Sequence, residues 1–565
     1  MMLDLEDCLD FGSLKDYRRL DVEGPRVAAA SRLELPPRLL ETLSREAFTE
    51  IAFRMPSSQL EAFAAVLADD EASEAERFVV AELIRNAAIA AEGVLPICQD
   101  TGTAAVYGWK GGELSSEGSD VEALSAGARA AYAENRLRAS QLAPLGFFEE
   151  RNTRTNLPAL IDLRAAKNGT GYRLCFAAKG GGSANRTSLT MEPPSALDPE
   201  VLYAIVRERV SALGSSGCPP YRIAFVAGGA GPDETLYALA LAGLGLLDRV
   251  RDAADGAAEA ATQGRAGAEL ANAARAATDG GGDGGDGSPR RDRRLEERIM
   301  RYAKETGVGA QFGGSRLALE ARALRLSRHA ASLPLASGVF CSAYRRARAL
   351  IVPDGVFLER MEADPARFLP PASSILSGAR RVDLDRSIED IRADLAALKA
   401  GDFVLLSGTV ITARDAAHAR FLKGLAEGRE LPEYLYRHPV FYAGPTEAAP
   451  GEASGSFGPT TAGRMDSYLA ALMSRGASLI TIAKGSRSRT AAATIAGRGG
   501  SYLTAIGGAA ALAARKHVVS SQVIDHADLG MEAVRKVVLR ELPAMIAIDA
   551  RGLAFLGAPK VASHA

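Results

Sequence analysis

The sequence predicts a mixed α/β (α+β) protein in two parts. The larger N-terminal domain, residues 1–365, reads as mainly helical with strands mixed in, and the smaller C-terminal domain, residues 366–565, as a swivel-like α/β unit. Three observations carry this. Apolar residues recur at three- and four-residue spacing from Leu33 to Ala91, the period of a helix face. Ile223-Ala-Phe-Val-Ala-Gly-Gly runs into the apolar stretch Thr235–Leu247, a strand, glycine turn and helix in succession. The pattern loosens over Phe357–Pro371, and a second strand-to-helix unit starts at Asp402, which places a domain boundary between about 355 and 385.

In chain order, the helical opening gives way at Ile97-Cys-Gln-Asp-Thr-Gly-Thr103 to a turn. Ala104, Val106 and Tyr107 then read as strand, Val121–Leu137 as helix, and Pro158–Asp162 and Tyr172–Ala177 as strands. Lys179-Gly-Gly-Gly-Ser-Ala-Asn-Arg186 follows. Three successive glycines let a backbone approach a ligand and expose its N–H donors, although a hairpin tip has the same composition. Val201–Leu213 reads as helix and leads to Ser215-Ser-Gly-Cys-Pro-Pro220. Residues 252–294 are rich in Ala, Gly and Asp and end in an Arg-rich run, which predicts a disordered low-complexity insertion. Thr306-Gly-Val-Gly-Ala-Gln-Phe-Gly-Gly314 is a glycine-rich turn. In the second part, strands are expected at Asp402–Gly408, Pro439–Ala443, Ser478–Ala483 and Pro543–Asp549, with a helix starting near Thr412.

Composition excludes several classes. A net charge of −2 over 565 residues gives no overall positive field for nucleic acid or an anionic membrane. The longest apolar run, Leu236–Leu247, is too short to span a bilayer. The acidic first ten residues argue against a signal or transit peptide, so a cytoplasmic location is expected. Five cysteines without a CxxC pair make neither a disulfide framework nor a zinc knuckle. Gly228-Gly-Ala-Gly231 lacks the dinucleotide-binding spacing.

What remains points to a site. Cys98, Cys218 and Cys341 each lie on a turn-like stretch, whereas Cys175 falls in a strand pattern and Cys8 in an acidic segment. Three thiolates leave one coordination position open on a catalytic zinc or on one iron of a 4Fe–4S cluster, but the spacing alone does not choose between these, and three unrelated cysteines are its default reading. Arg414 and Arg464 each fall in the first turn of an expected helix. A cation there opposes the helix dipole by roughly 0.3–1 kcal/mol, an arrangement that makes sense if an anion completes each site or if both side chains turn outward. Lys484 closes an apolar strand, the end at which open α/β sheets place ligands.

Together CQDTGT at Cys98, KGGGSANR at Lys179, SGCPP around Cys218, TGVGAQ at Thr306, the His329–Cys341 segment, TARDAAH at Thr412 and GPTTAGRMD at Gly458 resemble the class I, iron–sulfur-dependent fumarate hydratases, to which the two-subunit L-tartrate dehydratases are related. The resemblance covers nearly the whole chain. It implies a 4Fe–4S cluster held by Cys98, Cys218 and Cys341. It also implies that a dicarboxylate is held by Gln99, Arg138, the Gly181 backbone, Arg414, Arg464 and Lys484, and that protons are moved by Thr460, Asp100 and His329. Thr460 is expected to be the base at C3 and Asp100 the acid on the leaving hydroxyl, with His329 orienting Asp100 or substrate. The family points further to a homodimer and to reversible hydration of fumarate to S-malate. A related dicarboxylate hydratase acting on L-tartrate (in the dehydration direction) or mesaconate, and a non-catalytic iron–sulfur sensor, are the alternatives. Arg186 stands where the family usually has lysine.

Overall fold

A computed structural model describes residues 5–27, 32–167, 169–253, 287–370 and 376–555. Three large sheets organise them. The first has six strands in the spatial order Tyr17–Arg19, Gly355–Glu359, Arg346–Val352, Tyr172–Lys179, Thr103–Lys110 and Leu160–Ala165. The second has five, in the order Ser188–Glu192, Leu333–Phe340, Tyr221–Gly229, Ala318–Arg328 and Arg290–Arg291. The third draws only on residues 380–548 and has seven strands. Its Phe403–Thr412 strand pairs in parallel with Val440–Phe441 and antiparallel with the long Val534–Ile548 strand. Those pairings close five of the strands into a ring.

The N-terminal half is thus more sheet than its helical opening suggests. Helices at Leu39–Phe53, Ser57–Ala68 and Glu74–Ala91 do follow from the three- and four-residue spacing. The third begins with a capping box. The Ser73 hydroxyl accepts the Glu76 N–H at 3.2 Å, and the Ser73 N–H donates to the Glu76 carboxylate at 3.0 Å. The same carboxylate accepts the N–H groups of Ser315 and Arg316, which ties the glycine-rich 306–314 turn to the helix. A Cβ on Gly314, at φ +115°, would lie 2.2 Å from Glu76 Cδ, so that close approach requires glycine.

Other expected elements appear with shifted ends. The helix expected from Val121 is Asp120–Glu134, and the one expected near Thr412 starts at Asp415. The KGGG stretch is a short helical turn, Gly181–Ala184, and not a hairpin tip. Much of the expected insertion, 254–286, lies outside the described residues. Its end is folded. Arg290–Arg291 pairs with Arg325 and Leu324, Arg291 is buried against Glu296 at 2.7 Å, and Asp292 caps the Arg293–Glu305 helix. The basic run therefore forms a strand, a buried ion pair and a helix start, where composition alone predicted disorder.

One apolar cluster joins the two halves. It packs Met55, Leu60, Phe63, Leu83 and Ile84 with Leu406, Ile480, Leu503 and Ile546. No helix among the described residues is long and apolar enough to cross a membrane.

Candidate active site

Three turns bring Cys98, Cys218 and Cys341 toward one place. Cys98 lies in the link between the Glu74–Ala91 helix and the Thr103–Lys110 strand. Cys218 precedes the Tyr221–Gly229 strand in a left-handed conformation, φ +63°. Cys341 follows the Leu333–Phe340 strand, whose last residue pairs with Arg222. That antiparallel register sets the start of one strand beside the end of the other, and the Ser342 N–H donates to the Cys218 carbonyl at 3.0 Å. Cys175 instead lies in the core of the first sheet, and Cys8 closes a short 3₁₀ turn.

Two buried amides hold the turns in place. Asn86 donates to the carbonyls of Ile97 at 3.0 Å and Gly508 at 3.2 Å and accepts the Leu512 N–H. Gln311 donates to the carbonyls of Pro219 and Gly507 and accepts the Gly507 N–H at 2.7 Å. The C-terminal half thereby supplies a wall at Gly507 and Gly508. A Cβ on Gly507 would stand 2.5 Å from Cys218 Sγ.

Burial and neighbouring charge oppose one another at the thiols. Burial pushes the Cys98 thiol up to about 12, against the pull of Arg345 and Lys484. It raises the Cys218 thiol as well. Lys484 Nζ donates to Cys218 Sγ at 2.7 Å. Burial works against the Lys484 cation, but the Cys218 and Cys98 thiols and Asp100 outweigh it and hold its pKa above the ordinary lysine range. Arg345 is 4 % exposed, interacts with Cys98, Cys341 and Asp100, and leaves Nε without a partner. Two buried cations facing three thiols cost desolvation that anionic sulfur would offset. Among the described residues no group of three or more His, Cys, Asp or Glu side chains converges closely enough to hold a single metal ion.

Beside them opens a cleft of about 230 Å³ lined by both halves of the chain. Gln99, Asp100, Arg138, Gly181, Arg414, Thr460, Arg464 and Lys484 all line it. A hollow of about 390 Å³ lies elsewhere, along Arg489–Ala496 and residues 547–554, without such a convergence of acids and cations.

Each cleft group has a defined support. Gln99 donates to the Pro459 carbonyl at 3.1 Å and accepts the Cys98 S–H at 3.3 Å. A Cβ on Gly458 would approach Gln99 Oε1 to 2.4 Å, so a side chain there would displace the Gln99 amide. The Gly181 N–H donates to Asp100 Oδ2 at 2.8 Å and is occupied by protein. Burial raises the Asp100 pKa, but Arg138, Arg345, the Gly181 N–H and Lys484 together bring it below the ordinary carboxylate range. Thr460 is held through its backbone, its N–H on the Tyr442 carbonyl at 2.7 Å and its carbonyl on the Lys484 N–H at 3.1 Å. Arg414 is the N-cap of the Asp415–Ala426 helix and is 5 % exposed. Burial first, and the neighbouring Arg138 second, lower its pKa to about 10. The His418 backbone N–H donates to the Arg414 carbonyl at 2.9 Å, and the His418 ring Nδ1 lies at the same distance from that oxygen. Arg464 is more open, 3.9 Å from Asp415.

His329 is not in the cleft. It sits on the exposed turn after the Ala318–Arg328 strand, where its Nδ1 accepts the Ala331 N–H at 3.2 Å. Cys341 follows the eight-residue Leu333–Phe340 strand that starts near His329, and eight strand residues span ~27 Å. The sheet puts the histidine at the opposite end from the thiols, so its expected proton-transfer role is not carried within this chain's own cleft.

Other groups escaped the sequence reading. Arg345 lies four residues after Cys341, and Lys179, which also lines the cleft, heads the triple-glycine motif; position next to a motif could have found both. Glu532 pairs with Arg138 at 3.3 Å and Arg414 at 3.2 Å, and no motif marks it.

Comparison with known proteins agrees with this architecture. Residues 41–350 match the family model for fumarate hydratase (fumerase), and residues 355–557 match the fumarase C-terminus model. The chain is 40% identical over 522 residues to the aerobic class I fumarate hydratase of Escherichia coli K12, covering 92% of this chain and 90% of that one. It is 40% identical over 533 residues to fumarate hydratase 2 of Leishmania major, covering 94% and 89%. Its C-terminal part is 32% identical over 167 residues to a putative L(+)-tartrate dehydratase subunit beta of Methanocaldococcus jannaschii, covering 28% of this chain and 85% of that one. With both family models matched in order and relatives aligned along nearly its whole length, the chain belongs to the class I fumarate hydratase family.

Proposed function

We propose that this protein is a hydro-lyase that interconverts fumarate and S-malate, with Cys98, Cys218 and Cys341 holding a 4Fe–4S cluster. The observation that carries the proposal is the cleft itself. Arg138, Arg414, Arg464 and Lys484 come from both halves to surround Asp100 and Thr460 directly beside the three thiols. When bound, such a cluster supplies a Lewis-acidic iron able to polarise a substrate carboxylate or hydroxyl oxygen.

The protein's own groups account for the remainder. Two substrate carboxylates meet several cationic donors, each charged hydrogen bond being worth ~1.5–3 kcal/mol, which offsets desolvation of the dianion. In the hydration direction, Asp100 is ionised in the cleft and takes a proton from water as the new C–O bond forms. Thr460 delivers its hydroxyl proton to C3. Its alkoxide, a strong base, is stabilised by Lys484 on the adjoining segment and by Arg464. Dehydration runs the same transfers in reverse, with Thr460 as base and Asp100 as acid. Gln99, whose side-chain amide donates to the Pro459 carbonyl, keeps the Cys98 turn and the threonine turn in register.

A homodimer is the assembly we propose. It is supported by the hairpin of Leu142–Pro144 and Glu150–Asn152, whose tip leaves Phe147 95% and Phe148 97% exposed.

The test is anaerobic reconstitution with iron and sulfide, then an ultraviolet assay of the double bond with fumarate, S-malate, tartrate and mesaconate in parallel. Rapid turnover of fumarate that is lost in air and restored by iron and reductant is expected. An intact cluster with turnover of none of the four acids would overturn the hydro-lyase reading.

A further inference from the structure

Arg138 and Arg414 approach the cleft from opposite halves of the chain and line it together, and burial first, then the neighbouring Arg138, depresses Arg414. Left alone, two such cations would move apart. Behind them, outside the cleft lining, stands Glu532. Its Oε1 lies 3.3 Å from Arg138 Nη2 and 3.2 Å from Arg414 Nη2, and its Oε2 accepts the Ala416 N–H at 3.2 Å in the first turn of the helix that Arg414 caps. One carboxylate thus bridges the two halves and satisfies a helix N-terminus.

The segment that carries Glu532 is itself pinned. It joins Val518–Asp525 to Val534–Ile548 through a 3₁₀ stretch at Ala527–Glu532. Asp528 takes both terminal nitrogens of Arg420, and Asp525 accepts the Tyr434 hydroxyl at 2.8 Å. His526 and Gly530 make the bends with positive φ. A carboxylate on an anchored segment holds its partners in one geometry at little entropic cost.

We infer that Glu532 is a positioning residue that locks Arg138 and Arg414 into a single fork whose remaining N–H groups converge on one carboxylate of the substrate. The inference rests on the dicarboxylate reading above. It has a sign that separates it from simple charge balance. If Glu532 only competed with substrate for the two arginines, removing its charge would tighten dianion binding. If it positions them, removing its charge loosens the fork and weakens binding, although the cleft becomes more positive.

The experiment measures KM and kcat for fumarate and S-malate on the reconstituted holoenzyme, together with calorimetric binding of succinate, a dicarboxylate without a double bond to hydrate. Glu532→Gln should raise KM and the succinate Kd at least tenfold and leave kcat within about threefold. Glu532→Asp keeps the charge but withdraws it by about one C–C bond, ~1.5 Å, and should give an intermediate rise. It also serves if the glutamine variant does not fold. An unchanged or lower KM and Kd in either folded variant would overturn the proposal, as would a loss confined to kcat. Wild-type holoenzyme that binds succinate without hydrating fumarate would overturn the hydratase reading alone, since the succinate Kd still reports on the fork. Wild type that does not bind succinate would overturn the dicarboxylate reading and the fork with it.

Discussion

Gly507→Ala tests the thiol site at its tightest contact. The added methyl would lie 2.5 Å from Cys218 Sγ and 2.8 Å from Lys484 Cδ, whereas non-bonded heavy atoms prefer about 3.5–4.0 Å. Something must move by about 1 Å, and the neighbours are ill placed to yield. Cys218 is fixed by a turn hydrogen bond from its own N–H to the Ser215 carbonyl and by the Ser342 N–H on its carbonyl. Gly507 is fixed on both backbone faces by Gln311. Overpacking of this kind costs about 1–3 kcal/mol, and here it falls on the ligand geometry. Anaerobically reconstituted Gly507→Ala should therefore hold its cluster about 5- to 150-fold more weakly. The assay is iron and sulfide per chain after timed chelator challenge, with kcat/KM followed in parallel. Gly497→Ala, which would meet nothing within 4 Å, should match wild type. A Gly507→Ala protein with full iron, wild-type chelator resistance and wild-type activity would refute the placement of Cys218 as a ligand beside this wall.

Three further outcomes are expected. Thr460→Val should lower kcat at least 100-fold, the usual range for losing a proton-transfer group, with iron content unchanged; a change in KM alone would contradict its role. Burial holds the His418 imidazole down at about 4, against about 6.5 in the unfolded chain. The unfolded state therefore binds the extra proton first, so His418 contributes full stability above pH 6.5 and loses about 3 kcal/mol as pH falls to 4. Chemical denaturation of wild type and His418→Gln at pH 7 and pH 4 should show wild type losing more, and parallel losses would refute this. Phe147→Ser combined with Phe148→Ser should yield a folded monomer in sedimentation analysis; an unchanged dimer would clear the hairpin of that role.

The fold was legible where one element carries its own period. The helices from Leu39 to Ala91 and the strand–helix unit at Tyr221–Gly243 lie close to where apolar spacing puts them. The cysteines sorted correctly between turns and strands, because a thiol in an alternating apolar run, as at Cys175, is committed to a core. Arg414 stood out for a local reason, a cation at a helix start, and the structure buries it beside the cleft. What failed depends on three-dimensional placement. His329 sits within a motif-bearing stretch, yet strand direction carries it to the far end of its sheet. Glu532 has no local pattern, since its meaning arises only when two arginines from distant segments meet it. Arg290–Arg294 reads as disordered by composition because Arg291 finds its partner, Glu296, only once the helix has formed.

The apolar cluster shared by the two halves has a consequence for turnover. A cleft between two bodies is often worked by a hinge that swings them apart. Here Leu83 and Ile84 belong to one buried apolar cluster with Ile480, Leu503 and Ile546, and exposing each such side chain costs about 1.5–3 kcal/mol. Prising the halves open over even a handful of them would consume the margin of about 5–15 kcal/mol that keeps a domain folded. A wide swing of the two halves is therefore costly, and entry without one is the expected route for substrate and product. Arg464, whose side chain is 36% exposed at the cleft, is then the lining cation with the most room to change rotamer as a ligand enters.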